Sequence, residues 1–107
     1  MADGHVIVLD AGTSRLRCVV FDQRYRIVAC CSSEWPEIYR PHESPYSRDF
    51  DAEVLWDVVS KLIMESVSQS CVSPRDLSAI TVTSQRQSLV FLDLNGCELY
   101  AGPNVDL

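Results

Sequence analysis

The chain has 107 residues, of which 47% are apolar and 22% are charged. This length suits one small domain or part of one, and no apolar run approaches the roughly 18 residues that a membrane-spanning helix needs. Fifteen acidic residues against nine basic ones give a net charge of −6. Because the basic residues are scattered along the chain, we expect no nucleic-acid-binding surface, and because no long apolar run is present we expect no membrane segment.

The start of the chain and its cysteines indicate a cytoplasmic protein. Asp3 stands where an export signal would carry basic residues, and the first apolar stretch is only four residues long before Asp10. None of the five cysteines forms a Cys-x-x-Cys pair, so reduced thiols are the simplest interpretation. We interpret the adjacent Cys30 and Cys31 as small buried or half-buried strand residues, with a redox-active pair as the alternative.

Three apolar segments near the start predict three strands, at 5–9, 16–21 and 26–31. Only short polar turns separate them, the first of which covers residues 10–14. A parallel return needs a crossover of about a dozen residues or more, so neighbouring strands must be antiparallel.

The middle of the chain predicts a surface connection followed by a helix. Residues 33–49 contain three prolines and several charges, a composition that neither a helix nor a central strand accepts. Asp51 is then a helix N-cap, and apolar residues recur from Leu55 to Val67 at the spacing of an amphipathic helix of about 18 residues. We assign Trp56 to the core, since its place at the helix start suits packing.

Three more strands are predicted after Pro74. The segment 77–83 is one strand, and 89–93 and 98–101 flank an Asn-Gly pair, the strongest short signal of a hairpin. The predicted fold class is therefore α/β, a mixed sheet of element order β-β-β-α-β-β-β with one helical crossover.

The turn after the first strand is the segment with the clearest chemistry. Asp10 ends the strand, and Gly12, Thr13 and Ser14 follow it, so a carboxylate suited to a metal ion stands beside N–H and O–H donors suited to phosphate oxygens. Arg17 can add a bidentate cation from the next strand. In the alternative interpretation this is an ordinary hairpin, with its acid and hydroxyls bonded locally.

Four segments together carry a resemblance to a known family. The segment 8–17 (VLDAGTSRLR), with 19–22 (VVFD), resembles the first phosphate motif of the actin-like ATPases and, among them, of the FGGY carbohydrate kinases. Segments 51–56 (DAEVLW), 79–87 (AITVTSQRQ) and 104–106 (NVD) resemble that family in order and spacing, so the similarity spans nearly the whole chain. It implies a ribonuclease H-like lobe, incomplete in this chain: residues 1–107 would be the N-terminal part of the first lobe, without the second.

The resemblance also implies site residues and cofactors. Around the phosphates of ATP it places Gly12, Thr13, Ser14 and Arg17, with Asp10 near Mg²⁺ through water. Toward the sugar or polyol substrate it places Arg86, Gln87 and Asp106. Solvated arginine is the alternative for Arg86, and local turn bonds are the alternative for Asp10.

Two residues depart from the glycerol-kinase form of the family. Gln87 stands where glycerol kinase has a glutamate, and an amide lacks the charge-assisted bond that a carboxylate makes to a hydroxyl. Asn104 stands where many members have tryptophan, and Asn-Val-Asp is similar to the branch that contains autoinducer-2 kinases. The resemblance thus favours a larger polyhydroxylated substrate over glycerol.

The function that the resemblance implies is ATP-dependent phosphorylation of a sugar or polyol hydroxyl. The family's general-base aspartate is expected beyond residue 107, so we expect this chain alone to be inactive and to leave one sheet edge and one apolar face open. A homodimer of the full-length enzyme is one assembly that the resemblance allows. The alternative function is that of a short, non-catalytic protein of kinase ancestry that binds a partner or a sugar.

Overall fold

The structure contains the predicted strands and helix, with two further short strands ahead of the helix. A computed structural model describes residues 4–12, 15–34, 39–40, 49–84 and 89–102. The elements are β1 (His5–Ala11), β2 (Arg15–Phe21), β3 (Ile27–Glu34), β4 (Tyr39–Arg40), β5 (Asp49–Phe50), α1 (Ala52–Ser70), a 3₁₀ turn (Pro74–Asp76), β6 (Leu77–Ser84), β7 (Leu89–Leu92) and β8 (Glu98–Gly102). Among these described elements, no helix combines the length and the apolar character needed to cross a membrane.

The main sheet is mixed, as predicted. Its strand order is β3-β2-β1-β6, in which β1 pairs antiparallel with β2, β2 pairs antiparallel with β3, and β1 pairs parallel with β6. The parallel pairing is possible because α1 lies between β3 and β6 in the sequence and supplies the long crossover. The predicted mixed sheet is therefore confirmed, and in it β1, β2 and β3 pair antiparallel while α1 connects β3 to β6.

Two pairings depart from the prediction of one sheet joined by loops. The strands β7 and β8 pair with each other in a two-stranded sheet of their own, because the turn around Gly96 lets them close a local hairpin. The segment predicted as a surface connection contains β4, which pairs with β5 through Tyr39 opposite Phe50. Two-residue strands of this kind tolerate nearby prolines because they need few ladder hydrogen bonds.

The core lies between α1 and the sheet. Its buried apolar residues are Ile7, Leu16, Cys18, Val20, Ala29, Phe50 and Leu62. The strand register places Ile7 opposite Val20, so these side chains share the sheet face that α1 covers. At the centre, the wholly buried Ser66 donates its hydroxyl to the carbonyl oxygen of Cys18 at 3.2 Å, which satisfies the polar group that α1 brings into the core.

The start of α1 is held by two carboxylates. Asp51 is the N-cap, as predicted, and its Oδ1 accepts hydrogen bonds from the backbone N–H groups of Glu53 at 2.9 Å and Val54 at 3.2 Å. Glu98 of β8 accepts a third bond from the N–H of Ala52 at 2.7 Å. Three N–H groups that the helix itself leaves without partners are thereby satisfied, and the β7–β8 hairpin is attached to the helix start.

The predicted burial of Trp56 and of Cys30 is wrong, because both side chains point away from the core. Trp56 is 67% exposed, because the apolar stripe that faces the sheet runs through Leu55 and Leu62, and Trp56 is turned about 100° from Leu55 around the helix axis. Cys30 is exposed as well, since alternate residues of β3 point to opposite faces and Ala29 and Cys31 take the face toward α1.

Within the part of the chain that the structure describes, β6 forms one edge of the main sheet and carries exposed apolar residues. β6 is an edge strand, and its Ile80 and Val82 are 54% and 64% exposed. Ile80 pairs with Ile7 and Val82 pairs with Leu9, so both side chains lie on the sheet face that packs against α1. The helix covers that face over β2 and β3. Within the described residues, this apolar surface therefore extends beyond the part of the sheet that the helix covers.

The turn from β2 to β3 is organised by the buried Asp22. Its carboxylate accepts bonds from the backbone N–H groups of Arg26 at 3.0 Å and Arg24 at 2.8 Å, and from the side-chain Nε–H of Arg26 at 2.9 Å. These bonds, that from the Arg26 backbone above all, lower the pKa of Asp22 from its usual value. The ionised form of Asp22 is therefore the form that stabilises this hairpin.

We predict that Asp51→Ala lowers the free energy of unfolding by about 1 kcal/mol, because two helical N–H groups lose their acceptor. Urea denaturation followed by circular dichroism measures the loss. Asp57→Ala is the matched control, since Asp57 is an exposed acid within the same helix, and it should change stability by less than about 0.5 kcal/mol. Equal losses in the two variants would contradict the capping role.

A second prediction concerns pH and Asp22. A carboxyl group whose pKa is lowered in the folded state stabilises that state above its unfolded pKa of about 3.9, and the benefit disappears as the pH falls through the lowered value. The melting temperature of the native chain should therefore exceed that of Asp22→Asn near pH 6, and the difference should shrink steadily below about pH 4. A difference independent of pH would contradict the assignment.

Candidate active site

The centre of the candidate site is an ion pair across the β1–β2 hairpin. Asp10 and Arg17 are direct partners in the strand register, and the Nη2 group of Arg17 donates to Oδ2 of Asp10 at 3.0 Å. The two side chains are 33% and 55% exposed, so each can also be reached from solvent. Strand alternation puts both residues on the same face, and the register then makes them meet.

Gly12 shapes the backbone just beyond this pair. Its N–H donates to the carbonyl oxygen of Arg15 at 3.1 Å and so closes the turn between the strands. A Cβ atom at this position would lie 3.3 Å from that same oxygen and 3.9 Å from Oδ1 of Asp10. Any larger residue would therefore crowd the turn and partly cover the Asp10 carboxylate.

An apolar cleft opens between α1 and the sheet at the same end of the hairpin. Its volume is about 290 Å³, and it is lined by residues of β1, β2, α1 and β6: Leu9, Asp10, Ala11, Leu16, Arg17, Ala52, Leu55, Trp56, Val59 and Val82. The exposed indole of Trp56 is thus part of the cleft wall rather than of the core. The sequence prediction placed Trp56 in the core and missed its place in the cleft wall. The position of Trp56 outside the apolar stripe of α1 could have indicated that place.

The sheet also directs the end of β6 toward the same hairpin. Because β1 and β6 are parallel, their carboxyl ends lie at one edge, with Thr83 opposite Asp10 and Ser84 opposite Ala11. The predicted substrate residues Arg86 and Gln87 follow Ser84 in the sequence but lie outside the described residues, as do Thr13, Ser14, Asn104 and Asp106. Of the predicted site residues, the structure brings together Asp10, Gly12 and Arg17.

The donor set at the hairpin suits a weakly held hard cation. Among the described residues, no group of three or more His, Cys, Asp or Glu side chains is placed to hold a metal ion. Mg²⁺ commonly keeps several waters and is bound by one or two carboxylates together with the phosphates of a nucleotide. A single accessible carboxylate beside a guanidinium, as at Asp10 and Arg17, fits that mode of binding.

Comparison with known sequences gives a consistent result. Residues 5–102 match the family model described as the FGGY family of carbohydrate kinases, N-terminal domain. An autoinducer-2 kinase from Salmonella choleraesuis is 32% identical over 104 residues, which is 96% of this chain and 19% of that protein. A protein of the same name from Klebsiella pneumoniae is 30% identical over 102 residues. The chain thus spans about a fifth of the length of these relatives.

Solved structures share the fold. A gluconate kinase from Lactobacillus acidophilus superposes with a TM-score of 0.76 at 22% identity, covering 94% of this chain and 19% of that one. A xylulose kinase from Rhodospirillum rubrum gives 0.73 at 23% identity, covering 92% and 20%. Since the family model matches nearly all of the sequence, the chain belongs to the FGGY family of carbohydrate kinases.

Proposed function

We propose that this chain forms the N-terminal part of the first lobe of a kinase that transfers a phosphoryl group from ATP to a hydroxyl of a sugar or polyol. Family membership and the names of the relatives support the reaction class. The whole-protein activity is a proposal because the chain spans only 19% of the relatives' length. We further propose that the kinase works in the cytoplasm, which agrees with the free thiols of its described cysteines.

The ion pair between Asp10 and Arg17 is the observation that carries this proposal. A carboxylate and a guanidinium meet at 3.0 Å at the carboxyl end of the central parallel strand, and both remain accessible. A strand end of this kind is where α/β proteins bind ligands. Without a ligand, the Arg17 guanidinium pairs with the Asp10 carboxylate, an anion that a phosphate group could replace.

Each residue of the hairpin then has a defined task with the nucleotide. Bound Mg²⁺ would neutralise charge on the transferring phosphate, which is its general part in phosphoryl transfer. Asp10 would accept a hydrogen bond from water on that ion, while Arg17 would turn from Asp10 to a phosphate oxygen. Gly12 would keep the approach clear of a side chain, and the hydroxyls of Thr13 and Ser14 would donate to phosphate oxygens.

The substrate side of the proposal rests on the residues that follow β6. Arg86 and Gln87 begin two positions after Ser84, which is paired with Ala11 beside the hairpin. We assign Arg86 to the substrate hydroxyls, with the Gln87 amide as donor and acceptor and with Asp106 as a further acceptor. This donor set suits a polyhydroxylated compound, in line with relatives named for gluconate and xylulose.

The general base is assigned to an aspartate outside this sequence. A base must lie within hydrogen-bond reach of the attacking hydroxyl. Among the described residues, Asp10 is the acid that β1 carries at its hairpin end, and its carboxylate is engaged by Arg17. We therefore expect the isolated 107-residue chain to bind nucleotide weakly and to show no turnover.

The proposal is tested first on the native gene product, purified from its source cells and incubated with Mg²⁺, ATP labelled in the γ-phosphoryl group and a panel of ketoses, sugar acids and polyols. Transfer of label to one of these compounds supports the proposal. A native product of only 107 residues that transfers no label, yet binds a sugar or a protein partner, would replace it with the non-catalytic alternative.

In the active enzyme, Asp10→Ala should abolish turnover, whereas Arg86→Ala should mainly raise the KM for the sugar. The reason is that Asp10 acts on the metal and phosphate in the transition state, whereas Arg86 holds the substrate before and during reaction. Steady-state kinetics with each substrate varied in turn separate the two effects. Equal losses confined to kcat in both variants would contradict the assigned roles.

A further inference from the structure

Two cysteines face each other on neighbouring strands under the helix. Cys18 of β2 and Cys31 of β3 are direct partners in the antiparallel register, and both are free thiols. We propose that Cys18 and Cys31 form a redox modification site, a cross-strand disulfide made by exchange with a small disulfide of the oxidised glutathione class. This site is separate from the sugar kinase reaction proposed above.

The register brings the two sulfur atoms into range. Directly opposed residues of antiparallel strands have Cα atoms about 4.5 to 5.5 Å apart, and disulfides form across Cα separations of roughly 4.4 to 6.8 Å. The Cys18 side chain is wholly buried in the core under α1, where it hydrogen-bonds with Ser66, and the Sγ of Cys31 lies 3.9 Å from Oε1 of Gln69, one helical turn farther along. Both thiols therefore point to the same face of the sheet, and the bond can form without moving a strand.

The sequence neighbour Cys30 does not have this geometry. It pairs with Val19, and its backbone N–H donates to Oε1 of Gln69 at 3.2 Å. Adjacent residues of a strand point to opposite faces, so a bond between Cys30 and Cys31 would require β3 to unwind locally. The structure thus favours Cys18, distant in sequence, over the adjacent cysteine as the partner of Cys31.

Exposure sets the order of the two steps. Cys18 is completely buried, and that burial raises the pKa of its thiol, an effect that a hydrogen bond with Ser66 partly offsets. Cys31 is only half-buried, so a small disulfide meets its sulfur first. Cys18 then lies directly opposite the mixed disulfide, where proximity compensates for its low fraction of thiolate.

The exchange balances without any further reactant. The thiolate of Cys31 attacks one sulfur of oxidised glutathione, the S–S bond breaks, and one glutathione leaves as a thiolate. The deprotonated sulfur of Cys18 then attacks Cys31 Sγ and releases the second glutathione. In total, the two cysteines lose two electrons and two protons, and one molecule of the small disulfide is reduced to two thiols.

The test uses the folded chain with the exposed Cys71 and Cys97 changed to serine, which removes competing thiols. After incubation with oxidised glutathione and alkylation of the remaining thiols, tryptic digestion should give peptide 18–24 joined by a disulfide to peptide 27–48. Fragmentation of the joined peptide should place the bond at Cys31. Cys30→Ser should leave the joined peptide unchanged, and Cys31→Ser should abolish it.

Three results would overturn the proposal. They are a bond mapped to Cys30, a joined peptide that persists in Cys31→Ser, and a glutathione adduct on Cys31 while peptide 18–24 stays free at the end of the reaction. Circular dichroism of each variant verifies that the strands are intact. The assignment by fragmentation needs no substitution at either proposed residue, so it stands even where a variant does not fold.

Discussion

The pairing of β1 with strands on both sides is the constraint on which the site depends. β1 pairs antiparallel with β2 and parallel with β6, so its carboxyl end is fixed between a hairpin turn and the end of a parallel strand. The first pairing places Arg17 opposite Asp10, and the second places Ser84 beside Ala11. A shift of one residue in either register would turn one of these residues to the other face and separate the groups.

The position of the first turn of α1 relative to the hairpin is fixed by hydrogen bonds from other parts of the chain. Asp51 and Glu98 satisfy three N–H groups at the first turn of α1, which fixes where Ala52 and Trp56 stand beside the hairpin. The apolar cleft between α1 and the sheet results from that placement. Asp10 and Arg17 line this cleft as well, but strand alternation turns their side chains to the sheet face opposite Leu16, where the ion pair is accessible to solvent.

Local signals predicted much of this arrangement. The N-cap at Asp51, the helix length and the hairpin around Gly96 depend on residues close in sequence, and the structure confirms all three. The exposure of Trp56 and Cys30 could not be predicted in the same way, because it depends on how far α1 is rotated over the sheet and on which face of β3 meets it. The separate β7–β8 sheet is likewise a matter of tertiary packing.

In the candidate site, too, local features were predictable from the sequence and contacts between strands were not. The sequence predicted that Asp10 and Gly12 lie at the turn after β1, because the residues that form this turn are neighbours in the chain. That Arg17 binds Asp10 follows only from the register across two strands. The sequence predicted only phosphate as a partner for Arg17, and the contact with Asp10 adds an internal partner that a bound nucleotide would have to displace.

The most direct test of the central claim is a ¹H–¹⁵N NMR titration of the chain with Mg²⁺ and a non-hydrolysable ATP analogue. The account predicts that the Gly12 amide and the Arg17 Nε–H signals shift most, and that Arg17→Gln removes the shift at Gly12. Arg15→Gln is the matched control, since Arg15 lies on the same strand but pairs with Glu34 at 3.3 Å, and it should keep that shift. An unchanged hairpin at millimolar nucleotide, or shifts confined to other parts of the chain, would contradict the claim.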